Sequence, residues 1–328
     1  SNPLDMAISG EGFFTMKDNG ALVYTRNGAF TTNSSGYVVS ATGQRLQVYP
    51  PLGSGTFSTG TLTDLQLSTA PNPPLATTSI GAGINLPANA KAPATATFSP
   101  TDSTSYNQTT SVTVYDSLGA AHSASLYFVA GATAGNWTVH TVVDGTEVGT
   151  GTALTFGSSG TLTTPAGGKV ALSFTPSDGA AVMNTTLDLS GATQYGSSFA
   201  VNSLTQNGYA TGQLSGVSVS GGGVVSAQYS NGQTSVLGQV AMANFADPQG
   251  LQQLGDAMWA QTFASGSAVP GSAGISDFGN IQSGALENSN VDLTQQLVSM
   301  MNAQRNYQAN SQVVSTDDQL LQTILQLR

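Results

Sequence analysis

The chain changes material near residue 290. Before that point, apolar runs of a few residues are broken again and again by Gly, Pro, Asn and Asp; from Asn290 to Arg328 there is no Gly or Pro at all. In this last stretch apolar residues recur at helical spacing: Leu293, Leu297, Met300, Tyr307, Val314, Leu321 and Leu325. The pattern predicts an amphipathic helix of about 36 residues and about 54 Å, too long for a small β-domain to cover. Asn290 is placed to cap it, with Asp292 at the positive end of the dipole. The Met300-Met301 pair adds an adaptable contact surface. Positions 293, 300, 307, 314 and 321 are apolar or aromatic, but 297, 304, 311, 318 and 325 are Leu, Gln, Ser, Asp and Leu, so the seam is half apolar. Burying five or six such side chains contributes roughly 8–18 kcal/mol before entropy is counted. The helix therefore needs a partner, most economically copies of itself.

Residues 10 to 245 read as short β-strands separated by turns, the texture of all-β domains. Leu22-Val23-Tyr24 leads toward Asn27-Gly28, a strong hairpin signal, with Phe30 resuming the strand. Tyr37 to Val39 and Leu46 to Tyr49 flank the turn Ala41-Thr42-Gly43. Val112 to Tyr115 and Ala124 to Val129 bracket Asp116-Ser117-Leu118-Gly119, and Trp137 to Val143 runs into Asp144-Gly145. Alternation in Trp137, Val139, Thr141 and Val143 puts these side chains on one buried face, with Thr138 and His140 on the other. Val170, Leu172 and Phe174 repeat the pattern.

Two composition shifts mark seams. One is the proline run Ala70-Pro71-Asn72-Pro73-Pro74, which lacks ladder donors and makes a stiff connector; the other is glycine-rich, from Asn207-Gly208 to Gly221-Gly222-Gly223. The expected fold is mainly β: two β-rich domains, the middle one inserted into the other, plus the long C-terminal amphipathic α-helix. The boundaries follow as a discontinuous domain of residues 1–74 and 208–285, an inserted domain of residues 75–207 and a helix of residues 286–328.

Charge is scarce. Seven Lys and Arg stand against 17 Asp and Glu, a net charge of −10, and charged residues make up 7% of the 328. The seven cations are scattered, which excludes the clustered positive charge that nucleic acid demands. No span approaches the roughly 20 apolar residues that cross a bilayer, so membrane insertion is not expected. There is no cysteine, hence no disulfide, thiolate metal site or cysteine nucleophile. The N-terminus lacks the basic and apolar regions of a secretory signal peptide. In place of charge stand 39 Gly, 39 Ser and 40 Thr.

No catalytic constellation emerges, and no cofactor or metal is expected. His122 and His140 fall in predicted strands with no carboxylate cluster or third ligand close by in sequence, and read as structural. HExxH, EF-hand, Walker A and GxSxG patterns are absent. Asp317-Asp318 is an adjacent acidic pair, but helix neighbours point about 100° apart and do not converge as glycosidase carboxylates do. Gly221-Gly222-Gly223 lacks the Lys-Ser/Thr and helix start of a phosphate cradle. The four Asn-x-Ser/Thr sequons at Asn33, Asn107, Asn136 and Asn184 are expected at this Ser/Thr density. The chain is read as a non-enzyme.

Asn2 to Phe14 (NPLDMAISGEGFF), Tyr24 to Phe30 (YTRNGAF) and Gly36 to Tyr49 resemble segments of the bacterial flagellar axial proteins of hook and rod type. Tyr115 to Phe128 and Tyr229 to Leu251 are similar to the hook branch in particular, and Gly284 to Arg328 looks like the shared C-terminal axial helix. The resemblance implies a structural subunit that polymerises helically into a curved tube, the hook, which passes motor torque to the filament as a universal joint. It further implies an extracellular place on the flagellum, and as partners copies of itself, rod, hook-cap and hook–filament junction proteins and the flagellar type III export apparatus. Family members carry an N-terminal helix that pairs with the C-terminal one. No such segment precedes Ser1 here, so that core-forming partner is expected to lie outside the sequence. Competing readings are a distal rod or other axial protein, for which the middle region looks too large, and a secreted adhesion or carbohydrate-binding module, which calls for exposed aromatics.

Overall fold

The structure is a computed structural model that describes residues 2–53, 55–68 and 70–326, with helix side chains described through residue 320. It is mainly β, with one long C-terminal helix, Leu293–Gln326.

The first and last thirds of the β region share one antiparallel sheet, twelve-stranded among the described residues. Its spine is the 11-residue strand Thr234–Asn244. That strand pairs with Val224–Tyr229 on one side; on the other it meets Arg45–Tyr49 (Val240 opposite Val48) and Phe13–Asp18 (Phe13 opposite Ala243). Segments more than 190 residues apart in sequence thus become neighbours. Met6–Ser9 pairs in the same long-range way with Asn280–Ser283. Side chains alternate along these strands, and the inward ones, Met6, Phe14, Met16, Phe30, Leu46, Val48, Val225, Val240, Met242 and Ile281, form one core. Phe14 and Phe30 meet edge to face at 5.3 Å, an arrangement that adds to their area burial.

A second core is built from residues 80–192. One sheet runs in the order Gln108–Tyr115, Ala121–Ala130, Asn136–Val143, Thr152–Phe156 and Leu162–Thr164. The other places Ser79–Pro87 beside Met183–Asp188 in parallel and Ala200–Gln206 in antiparallel register. Ile80, Ile84 and Leu86 from one sheet meet Leu126, Phe128, Trp137, Val139 and Leu154 from the other. Each side chain of this size removed from water contributes about 1.5–3 kcal/mol. Trp137, Val139, Thr141 and Val143 face inward together, as the alternation predicts.

The two predicted seams lie side by side. Asn72 N–H donates to Gly212 C=O at 2.7 Å, and Leu75 and Tyr209 exchange hydrogen bonds at 3.0 and 2.9 Å. The proline run and the glycine-rich run therefore form one paired link between the two cores.

Several local expectations hold. Val39 pairs with Arg45 around Gly43, and the strands either side of Asp116–Gly119 and Asp144-Gly145 pair as hairpins. Others need correction. The hairpin turn of the first strands is Asn19-Gly20 (φ 47° and 95°), which joins Phe13–Asp18 to Ala21–Thr25. Asn27-Gly28 is not that turn, and the strand resumes at Thr31 rather than Phe30. Gly28 is required for another reason: a Cβ there would lie 1.6 Å from the Met6 carbonyl oxygen, because Met6 N–H donates to Gly28 C=O at 2.9 Å. At the helix, the cap is Asp292 and not Asn290; its Oδ1 accepts from Thr294 N–H at 2.8 Å and Gln295 N–H at 3.3 Å.

Candidate assembly surfaces and a buried charge network

The predicted contact residues of the helix are solvent-facing. Leu293 is 75% exposed, Tyr307 77% and Val314 63%, and Leu297 and Met300 are exposed as well. A 3.6-residue helix drifts about 20° per heptad, so 293, 300, 307 and 314 fall on one slowly winding stripe, with 297 beside it. Leu321 and Leu325 extend the series, but their side chains lie outside the described residues. Val298, Val313 and Leu320 are also exposed and lie on the far side of that stripe, a second apolar line that the heptad count of the first passes over. An apolar surface on two sides suits a helix enclosed by more than one neighbour.

The route from sheet to helix is fixed by Arg26. Its guanidinium makes five hydrogen bonds, one for each N–H. Nη1 donates to the carbonyls of Gly10 (2.8 Å) and Gly12 (2.9 Å), and Nη2 to that of Ile8 (3.2 Å). Nε and Nη2 grip Glu287 Oε2 and Oε1 at 3.0 and 3.3 Å. The fork thus holds the loop after Met6–Ser9 and the segment leading to the helix in one clasp. Beneath that segment runs an open cleft of about 560 Å³ lined by Phe13, Leu251, Trp259 and Glu287, among others.

Some of the other charges also gather in small networks. Asp64 takes Arg45 Nη1 at 2.8 Å and Gln47 Nε2 at 2.9 Å, with Lys17 Nζ 3.8 Å away. Burial opposes the Asp64 charge, yet the Gln47 and Arg45 hydrogen bonds and the Lys17 charge hold its pKa below the usual carboxylate range.

The histidines do have carboxylate neighbours, which corrects the reading from sequence proximity. His140 Nδ1 is 2.6 Å from Glu147 Oε1 and its ring stacks on Phe98 at 4.0 Å. His122 is buried, with Nδ1 2.6 Å from Asp144 Oδ2 and Nε2 3.2 Å from the fully buried Asp116 Oδ2. Asp178 completes a group whose polar atoms with Asp116 and His122 lie within 4.8 Å of one another. Both His122 nitrogens already face carboxylates, so the group is an ion-pair network whenever the imidazole is protonated. Only Asp116 lies close in sequence; Asp144 and Asp178 are brought in by the turns of other strands.

The aromatic groups do not form a glycan platform of tryptophans: Trp137 is core and Trp259 packs beside Phe245 and Leu251. Phe263, by contrast, is fully exposed on a turn tied by Thr262 and Ser265.

Three family models match parts of the chain. Residues 7–100 match the family model described as flagellar hook protein FlgE/F/G D1 domain. Residues 85–209 match the flagellar basal body protein FlaE D2 domain, and 282–327 the flagellar basal body rod FlgEFG protein C-terminal model. The flagellar hook protein FlgE of Escherichia coli (strain K12) is 39% identical over 334 residues, covering 99% of this chain and 82% of that protein. The crystal structure of the Helicobacter pylori flagellar hook protein FlgE2 aligns with a TM-score of 0.63 at 14% identity over 88% of this chain and 99% of that one, which shows a shared fold. With the Salmonella typhimurium flagellar hook protein FlgE also 40% identical over 342 residues, 99% of this chain and 82% of that protein, the chain belongs to the flagellar hook protein family.

Proposed function

We propose that this chain is a non-enzymatic structural subunit of the bacterial flagellar hook, polymerising into a curved tube that transmits motor torque to the filament as a universal joint outside the cell. The observation that carries the reading is the 40% identity to a protein named flagellar hook protein, sustained over 99% of the chain. Physical features support it. The C-terminal helix shows apolar side chains to solvent on two sides, as a strut between neighbours requires, and Leu293, Leu297, Met300, Tyr307, Val314, Leu321 and Leu325 are assigned its inner contacts. The discontinuous domain, residues 1–74 and 208–285, carries that helix through the Arg26 clasp, and residues 75–207 are inserted as an outer domain. Two separate cores and one paired link support this division. The partners are copies of the chain itself, rod, hook-cap and hook–filament junction proteins, and the flagellar type III export apparatus.

Electron microscopy of the full-length protein under polymerising conditions tests the reading. Curved tubes are expected. Straight rods only would favour a rod subunit, and persistent monomers that bind glycans would overturn the assignment in favour of an adhesion module.

A further inference from the structure

His122 sits at the end of the middle unit that meets the link. Asp116 Oδ1 accepts from Leu118 N–H (2.8 Å) and Ala120 N–H (2.9 Å), which shapes the turn 116–120. That turn lies directly on both connectors. A Cβ on Gly119 (φ +84°) would be 2.9 Å from Pro74 Cβ and 3.3 Å from Thr211 N, so this glycine lets the turn and the link touch. Next to it, Thr77 N–H donates to Tyr115 C=O at 2.8 Å and Tyr115 N–H to Thr77 Oγ1 at 2.9 Å. Ser117 Oγ accepts from Ala181 N–H at 2.9 Å, which draws in the loop that bears Asp178.

Three carboxylates surround one imidazole. Asp116 comes from the turn, Asp144 from the hairpin after Asn136–Val143, and Asp178 from the loop before Met183–Asp188; the Phe174 ring closes the remaining side edge-on at 5.7 Å. None of the three carboxylates is paired with Lys or Arg among the described residues. A neutral His122 has a single N–H: placed toward Asp144 it leaves the Nε2 lone pair facing the Asp116 carboxylate at 3.2 Å, and placed toward Asp116 it leaves Nδ1 facing Asp144 at 2.6 Å, so in either tautomer one carboxylate has no proton between it and the ring. Only the imidazolium donates to both.

We propose that protonated His122 is a latch: it pins the Asp116–Gly119 turn onto the paired connectors, and its deprotonation loosens the junction between the two β units. A tube that bends as it rotates needs such a junction to have a defined stiffness; this relevance rests on the hook reading, whereas the latch belongs to the single chain. The sign follows from linkage. Burial acts against the His122 charge, but the hydrogen bonds and charges of Asp144 and Asp116 outweigh it and hold the pKa above the ordinary histidine value. The latch is thus fully closed below the ordinary histidine range and opens as pH rises through the raised folded value.

The test is amide hydrogen exchange on the full chain across pH, read at Tyr209 and Gly212, whose N–H groups bond across the link, with the His122 ring followed by NMR. After correction for intrinsic base catalysis, protection at these two amides is expected to fall by about tenfold or more as His122 titrates, the scale set by a hydrogen bond to a charged group. Core amides such as Leu126 should not follow. His122→Gln should remove the pH step, and Asp144→Asn, which keeps the ring, should move it to lower pH. Unchanged protection through the His122 titration, or the same step in His122→Gln, would overturn the latch. Neither result depends on polymerisation, so failure here is distinguishable from failure of the hook assignment.

Discussion

Arg26 and Glu287 lie 261 residues apart and are joined by two hydrogen bonds, Nε to Oε2 at 3.0 Å and Nη2 to Oε1 at 3.3 Å. The same guanidinium also donates to the backbone carbonyls of Ile8, Gly10 and Gly12. Arg26→Ala removes all five bonds. It is expected to lower stability by about 1–3 kcal/mol, since the site is partly open to water and carbonyls can be rehydrated. Arg26→Lys keeps the charge but not the fork and should recover less than half of the loss. Glu287→Gln, at an exposed pair, should cost under about 1 kcal/mol. Thermal unfolding of the three variants checks the order; equal losses for Arg26→Ala and Glu287→Gln would show that the carbonyl contacts contribute nothing.

Gly28 and Gly20 separate two uses of glycine. At Gly20 a Cβ meets nothing within 4 Å, so Gly20→Ala carries only the strain of a positive φ, about 1–2 kcal/mol. At Gly28 the added atom runs into the Met6 backbone, and the pairing of Met6–Ser9 with Asn280–Ser283 has to shift. Gly28→Ala should cost about 3 kcal/mol or more, in the range of severe overpacking. Denaturant unfolding distinguishes them, and a Gly28→Ala variant no weaker than Gly20→Ala would contradict the close approach.

Much of this was legible because its causes are local. Trp137, Val139, Thr141 and Val143 alternate because a strand does, and Leu293 to Val314 repeat because a helix does. The proline and glycine runs announced the link, though not that Asn72 and Gly212 would pair. What was hidden depended on long-range closure. Of two Asn-Gly pairs, Asn19-Gly20 makes the first hairpin because Phe13–Asp18 pairs directly back on Ala21–Thr25, while Gly28 is required by its close approach to Met6. Asp292 displaces Asn290 as cap because its oxygen reaches two free N–H groups of the first turn. The His122 network was illegible since Asp144 and Asp178 arrive from turns that only the folded sheets bring together.

Leu293 and Leu297 offer a test of the helix surface. Replacing both with Asp adds charge where the side chains already face water, so thermal unfolding of the β units should change by no more than about 0.5 kcal/mol. Polymerisation of the full-length protein, followed by sedimentation, should be abolished. The same replacement at Val313 and Leu320 probes the opposite side of the helix and should weaken assembly too. Normal tubes from both variants would remove the helix from the contact set.

The scarcity of charge predicts how a tube built from this chain responds to salt. Seven cations serve 328 residues, and three of them, Lys17, Arg26 and Arg45, are engaged within the fold with Asp64 or Glu287. Contacts between copies then fall mainly to Ser, Thr, Asn, Gln, Gly and apolar groups. Hydrogen bonds between uncharged groups each contribute about 0.5–1.5 kcal/mol net and can be exchanged in small steps, whereas a desolvated ion pair resists separation strongly once formed. Subunits that slide past one another on every turn are served by the first kind of contact. Because screening acts on exposed charges, bending stiffness of assembled tubes, measured from thermal curvature fluctuations, should change by less than about twofold between 0.05 and 0.5 M salt, a range over which the Debye length shrinks roughly threefold. A steep dependence would place ion pairs at the sliding contacts and overturn the argument from composition.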